Sequence, residues 1–249
     1  MTTQMHIAAQ YLAAAGISFL DKKDDDSHSN LRFNAQKGYL ETRPLNSSGC
    51  TIALDYNKFA LYWLNNNNAR LSIHLDQKTH IDVLKWMEKV SKAMNMEKSF
   101  EYNLHYDLPY TVTDDYVFKL EDANKSQKLI ELRTLAQSVI QDFLTNNQLD
   151  SEIRIWPHHF DTGAFAALED ETGISVGLGM AIPDTMHDDY YFYISAYQGH
   201  DAVSTSGFKT LTHGNWSNEG FKGAVLPLSG INKDTGVTFF QEALAEYIN

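Results

Sequence analysis

Two strand-prone blocks, 38–75 with a period of two and 153–228, constrain this chain more than any other feature. Period-two alternation suits a strand with one buried face, and each block is followed by a helical segment able to cover that face. In the first block Ile52, Leu54 and Tyr56 alternate with Ala53 and Asp55, and Leu71, Ile73 and Leu75 with Arg70, Ser72 and His74. Residues 59–64 between them form a nearly continuous apolar run, and the Asn-rich stretch 65–68 supplies the turn. The spacing predicts an antiparallel meander of three or four strands. A helix over 79–96 then places Val83, Met87, Val90 and Met94 on one face, with Thr79 as cap and Asp82 near the positive helix end.

The remaining segments are read the same way. Residues 5–15 predict a short Ala-rich helix, capped by Thr2 or Thr3 and stopped at Gly16. Residues 21–30 read as a charged, solvated connection without function, and 102–118 as a long connection with one edge strand. A longer helix over 126–146 carries Leu132, Leu135, Ala136, Val139, Ile140 and Phe143 in a stripe broad enough to pack between two layers. In the second block 151–156, 163–168, 174–182 and 190–197 read as strands, with a turn over 170–173, a loop over 199–207 and short strands ending at 221–228. A final helix over 235–248 buries Val237, Phe240, Leu244 and Tyr247, with Asp234 as cap. The expected fold is α+β: two antiparallel β layers each covered by helices, with a long central helix between them. Residues 1–120 hold the first meander and helix. Residues 121–249 hold the central helix, the second β region and the terminal helix, and the two parts form one compact unit.

Composition narrows the function classes. With 43% hydrophobic residues the chain can bury a core, which excludes a disordered tail. A net charge of −12 argues against a nucleic-acid partner and against an anionic membrane surface. The single cysteine, Cys50, forms no internal disulfide and is expected to be a buried structural thiol. No apolar run reaches the roughly 18 residues that span a bilayer, so a cytoplasmic protein is expected. There is no P-loop, dinucleotide turn, nucleophile elbow or His-Glu-x-x-His, so no nucleotide cofactor is expected.

The chemistry-bearing cluster is Trp156-Pro157-His158-His159-Phe160-Asp161. If the chain is extended there, His159 and Asp161 share one face. They can then converge on a divalent metal, form an Asp-oriented imidazole for acid–base work, or simply tie two strands together. His187-Asp188-Asp189, with Asp184, offers further ligands on one loop, and a metal set of His159, Asp161 and His187 follows if that loop folds over the cluster. His200, Asp201 and His213 are weaker candidates for the same rim. Gly177 and Gly179, inside one strand, are expected to permit close backbone packing. Tyr191, Tyr193 and Tyr197 share a strand face that offers ring surface and hydroxyls to a small ligand.

From these residues onward the C-terminal half resembles an uncharacterised bacterial family, a domain of unknown function marked by a Trp-Pro-x-His-Phe-Asp motif. The later pattern matches in order: a Gly-containing strand ending at Pro183-Asp184, the aromatic strand 189–197, then Asn215-Trp216 and Phe221-Lys222-Gly223-Ala224. The chain departs from the family at His158, where the family has Glu, in lacking a Gly between Pro183 and Asp184, and in the Asn-Trp order. The resemblance implies a shared fold and a shared polar spot at His159, Asp161 and Asp184, and favours His159 over His158 as a ligand. The expected binding residues are therefore Trp156, His159, Asp161, Asp184, Tyr191, Tyr193 and Trp216. The expected function is a non-catalytic small-ligand-binding or structural domain. The alternatives are a metal-dependent or acid–base hydrolytic enzyme centred on His159 and Asp161, and a subunit that pairs as a homodimer.

Overall fold

A computed structural model describes residues 1–66, 68–168 and 172–248. The chain is α+β, with antiparallel sheets of five and seven strands. It forms two compact units, Met1–Glu131 with Ile155–His158, and Leu132–Arg154 with His159–Asn249.

In the first unit helix α1, Thr2–Phe19, is buried from Met5 to Gly16 without interruption. Its alanines keep the helix thin enough for neighbours to close on every side. It is longer than expected at both ends. Thr2 and Thr3 lie inside the helix, and no side chain caps it. Gly16 continues the helix instead of ending it, because its missing side chain admits a neighbour: a Cβ there would lie 2.5 Å from the His28 carbonyl oxygen. The segment expected to be a solvated connection is partly buried as well, since a 3-10 turn, Ser27–Ser29, sits beneath the surface.

The first sheet is a simple meander of β1 Arg32–Asn34, β2 Tyr39–Glu41, β3 Cys50–Asp55, β4 Ala60–Asn65 and β5 Asn68–His74, paired in that order. Register is set by apolar partners: Leu54 faces Leu40 and Leu61, and Ile52 faces Trp63. β3 and β4 are buried on both faces, but β5 is an edge strand with no buried residue and Leu71 exposed, so its alternation does not mark a buried face. Helix α2, His80–Ala93, begins with the expected capping box, Thr79 and Asp82 bonding to each other's backbone N–H, and buries Val83, Met87 and Val90. The expected edge strand in 102–118 reduces to one bridge, Thr79 to Val117. Aromatic packing holds the segment there: Tyr102 and Phe118 lie 5.4 and 6.1 Å from Tyr11, ring centre to ring centre.

Helix α3, Ala123–Asn146, starts three residues before the expected Ser126 and runs in the chain between the two β regions. The second sheet has the order β11-β12-β9-β8-β7-β6, with β10 beside β9. These strands are β6 Arg154–Trp156, β7 Asp161–Ala167, β8 Ile174–Ala181, β9 Tyr191–Gln198, β10 Asp201–Ala202, β11 Asn215–Ser217 and β12 Gly223–Pro227. Leu132, Ala136, Val139, Ile140 and Phe143 of α3 pack with Phe239, Phe240, Ala243 and Leu244 of α4, Lys233–Tyr247, against one face of this sheet. Val176, Leu178, Phe192, Ile194 and Ala224 make that face. The next residue along each strand points the other way, so Asp161, Gly163, Phe165, Gly177, Gly179, Tyr191, Tyr193 and Tyr197 belong to the face without these helices. In α4 the cap is Asn232, not Asp234, because the Asn232 side chain accepts from Thr235 N–H at 2.9 Å. Phe239 takes the buried place expected of Val237, which is half-exposed. The expected turns over 65–68 and 170–173 include residues 67, 170 and 171, which lie outside the described ones.

Candidate functional site

The site begins with a turn in place of the expected strand. Residues 157–160 turn, so alternation does not put His159 and Asp161 on one face: His159 is exposed and Asp161 is buried. Phe160 closes the turn at φ 62°, a left-handed conformation that costs a bulky residue on the order of 1–3 kcal/mol. Arg133, fully buried on α3, holds it there. Its Nη2 donates to the Phe160 carbonyl at 3.0 Å and its Nη1 to Thr162 Oγ1 at 2.7 Å. The guanidinium also stacks 4.2 Å from the Phe160 ring centre. The lone cation inside the apolar stripe of α3 thus delivers Asp161 at the start of β7.

Asp161 is reached from two strands away. The Tyr193 hydroxyl donates a short hydrogen bond to Asp161 Oδ2. Tyr193 pairs with Gly179 and Gly179 with Gly163, so no side chain of β8 blocks the phenol on its way to β7. A Cβ on Gly179 would lie 2.8 Å from the Tyr193 hydroxyl and 2.6 Å from the Thr162 carbonyl. The close approach at this glycine is therefore a ring lying over the strand as well as the backbone beside it. Asp161 Oδ1 is buried without a hydrogen-bond partner. Burial raises the proton affinity of the Asp161 carboxyl, opposed in part by Tyr193, His159, its own backbone N–H and Arg133. Burial, then the Asp161 charge and its hydrogen bond, pushes the Tyr193 phenol well up.

Neighbouring groups extend this face. Tyr191 donates to Asp184 Oδ2 at 2.7 Å, and Asp184 Oδ1 accepts from Met186 and His187 N–H at 2.8 and 3.2 Å. Burial, followed by the Asp184 bond and charge, raises the Tyr191 phenol. Asp184 thereby shapes its own loop. The His187 ring lies 6.0 Å from that of Tyr191, and its Nδ1 accepts from Asp189 N–H at 3.1 Å. Ser195 donates to the Tyr197 hydroxyl at 3.1 Å, and Phe165 is 52% exposed beside them.

The other expected residues stand apart. Trp216 pairs with Ala224, whose side chain faces the helices, so the indole packs edge-on to Phe208 and Tyr247 and donates to the Lys209 carbonyl. It is a core-side residue. Trp156, Pro157 and His158 belong to the first unit, where the Pro157 carbonyl accepts from Gln10 Nε2 at 2.9 Å and lies 2.8 Å from His6 Nε2. His200, Asp201 and His213 are exposed. His159, Asp161 and His187 do not assemble as a ligand set. Among the described residues one group of three has its ligand atoms within 4.8 Å of one another, and it is Asp26, His28 and His105 in the first unit. Sequence reasoning passed over these three and Arg133. The Asp-x-His spacing at 26–28 was a signal, as was a single Arg in an otherwise apolar helix stripe. Compared with protein-family models, curated proteins and solved structures, the chain matches none.

Proposed function

We propose that the second unit is a non-catalytic binding domain that takes a small ligand on the tyrosine-bearing face of its sheet. The observation that carries this is Asp161 Oδ1, a buried acceptor with no partner. Leaving such an atom unpaired is costly, and a ligand N–H or O–H removes the cost. The half-buried Tyr193 and Tyr197 and the exposed Phe165 offer ring surface for an apolar or flat body next to that acceptor. A small amine or hydroxyl compound with an apolar part fits this chemistry.

The test uses the full chain in thermal-shift titrations with aromatic amines, amino alcohols and polyols, with native mass spectrometry for anything retained through purification. Asp161→Asn keeps an oxygen for Tyr193 but can turn an NH2 toward an incoming donor, and Tyr193→Phe frees Oδ2. Binding by the wild type that either variant loses, with folding intact by circular dichroism, supports the reading. Equal binding by all three proteins, or none by the wild type, overturns it.

The raised proton affinity of Asp161 favours one other reading, an acid–base hydrolase built on Asp161 and Tyr193 without His187. Turnover of p-nitrophenyl esters or glycosides that disappears in Asp161→Asn would support it. The likeness to the Trp-Pro-x-His-Phe-Asp family joins the proposal at this point: its signature would then record the turn that carries Asp161 into the sheet. A cytoplasmic setting is part of the same reading, since the lone buried Cys50 needs no oxidising compartment.

A further inference from the structure

We propose that Asp26, His28 and His105 form a site for a divalent transition-metal ion, zinc in the first instance, in the first unit. Two imidazoles and one carboxylate are the donors that suit zinc, and three protein ligands leave a coordination position for water. The potential ligand atoms lie within 4.8 Å of one another, and one edge is shorter: His105 Nε2 to Asp26 Oδ2 is 3.7 Å. Ligand atoms about 2.0–2.2 Å from a tetrahedral zinc stand about 3.3–3.6 Å apart, so that edge needs little adjustment. The partly exposed side chains of Asp26 and His105 can supply the rest.

The framework around the three residues is built. Asp26 sits at φ 52°, its N–H bonded to the Lys23 carbonyl, while its own carbonyl accepts from both Ser29 N–H and Ser29 Oγ. This turn presents Asp26 and His28 together, and the close passage of α1 at Gly16 fixes the His28 backbone. His105 arrives from the long connection. Its ring stands edge-on to Tyr106, whose hydroxyl donates to Gln10 Oε1 of α1 at 2.7 Å. The His28 and His105 rings are nearly parallel, 24° apart at 5.9 Å. A separate observation points to a ligand: Asp26 Oδ1 is buried with no hydrogen-bond partner. The Lys23 N–H lies 3.4 Å from His28 Nδ1, at the long limit of a hydrogen bond, so little is lost if that nitrogen turns to an ion.

The experiment is calorimetric titration of zinc chloride into the full, tag-free, chelator-treated chain, repeated with cobalt(II) to read its visible absorption. The wild type is expected to take up one equivalent. His105→Ala, at an exposed position, and Asp26→Asn should each weaken binding at least about tenfold, since even outer-shell changes cost 10–100-fold. Their melting temperatures without metal should match the wild type. His159→Ala, in the other unit, should bind as the wild type does, and magnesium should not compete. Absence of saturable zinc uptake, undiminished binding by His105→Ala, or loss of the equivalent in His159→Ala would overturn the assignment.

Discussion

Each unit holds a tyrosine hydroxyl against a titratable side chain, and the two pairs differ in what they leave over. In the first unit Tyr11 of α1 lies 2.6 Å from His80 Nδ1, among Tyr102 and Phe118. In the second, Tyr193 donates to Asp161. Burial disfavours charge in both places, lowering the His80 imidazole and raising the Asp161 carboxyl, while both phenols go up. Both pairs are thus biased toward neutrality. Yet neither Tyr11 nor His80 leaves a buried polar atom without a partner, whereas Asp161 leaves Oδ1. The first pair completes a core. The second keeps a buried acceptor to spare, and the proposed binding role rests on that difference.

The comparison breaks most sharply at Arg133. Arg133→Ala strips the Phe160 carbonyl and the Thr162 hydroxyl of a buried donor and should cost about 3–5 kcal/mol in chemical denaturation. Tyr11→Phe, which loses one hydrogen bond in the first unit, should cost only about 1–2 kcal/mol. A loss below about 1 kcal/mol for Arg133→Ala would remove it as the holder of the turn.

Next come the two glycines of close approach. Gly179→Ala and Gly16→Ala each drive a Cβ to within 2.6 Å of a backbone carbonyl, that of Thr162 and that of His28 respectively. Each should cost about 1–3 kcal/mol by overpacking. Gly179→Ala alone should also disturb the Tyr193 phenol, read as a change in tyrosine absorbance. An unchanged spectrum would place the strain entirely in the backbone.

The pairs should also carry opposite pH slopes. His80 titrates lower in the folded chain than its ordinary 6.5, so the stability it contributes is full above 6.5 and is lost as pH falls through that value toward the folded one. Asp161 titrates above its ordinary 3.8, so the folded state binds the proton more tightly and stability declines as pH rises from 3.8 through the folded value. Urea melts from pH 4 to 8 should therefore show Asp161→Asn gaining on the wild type as pH rises. His80→Gln should gain as pH falls below 6.5. Parallel curves would remove the titrations from the stability of these pairs.

The smallest effect belongs to His159. It is exposed on the turn, so His159→Ala should change stability by no more than about 0.5 kcal/mol. A larger loss would show that its pull on the Asp161 carboxyl weighs in the folded state and restore it to the centre of the site.

What the sequence determined by itself is what a few neighbouring residues can enforce. A period-two run located β3, a continuous apolar run β4 and strand propensity β9, the Thr79–Asp82 box located the start of α2, and strict alternation put Tyr191, Tyr193 and Tyr197 on one face. Backbone geometry settles each of these within a turn or a strand pair. Tertiary structure decided the rest. Gly16 stays helical because the His28 carbonyl occupies the space a side chain would take, and Phe160 turns left-handed because Arg133 grips it. Trp216 joins the core because its partner is Ala224. His105 reaches Asp26 and His28 from far along the chain, through packing on α1 that no local pattern encodes. Which residues meet across such separations depends on how buried surfaces fit. A sequence read a few residues at a time carries the periods of those surfaces but not their partners.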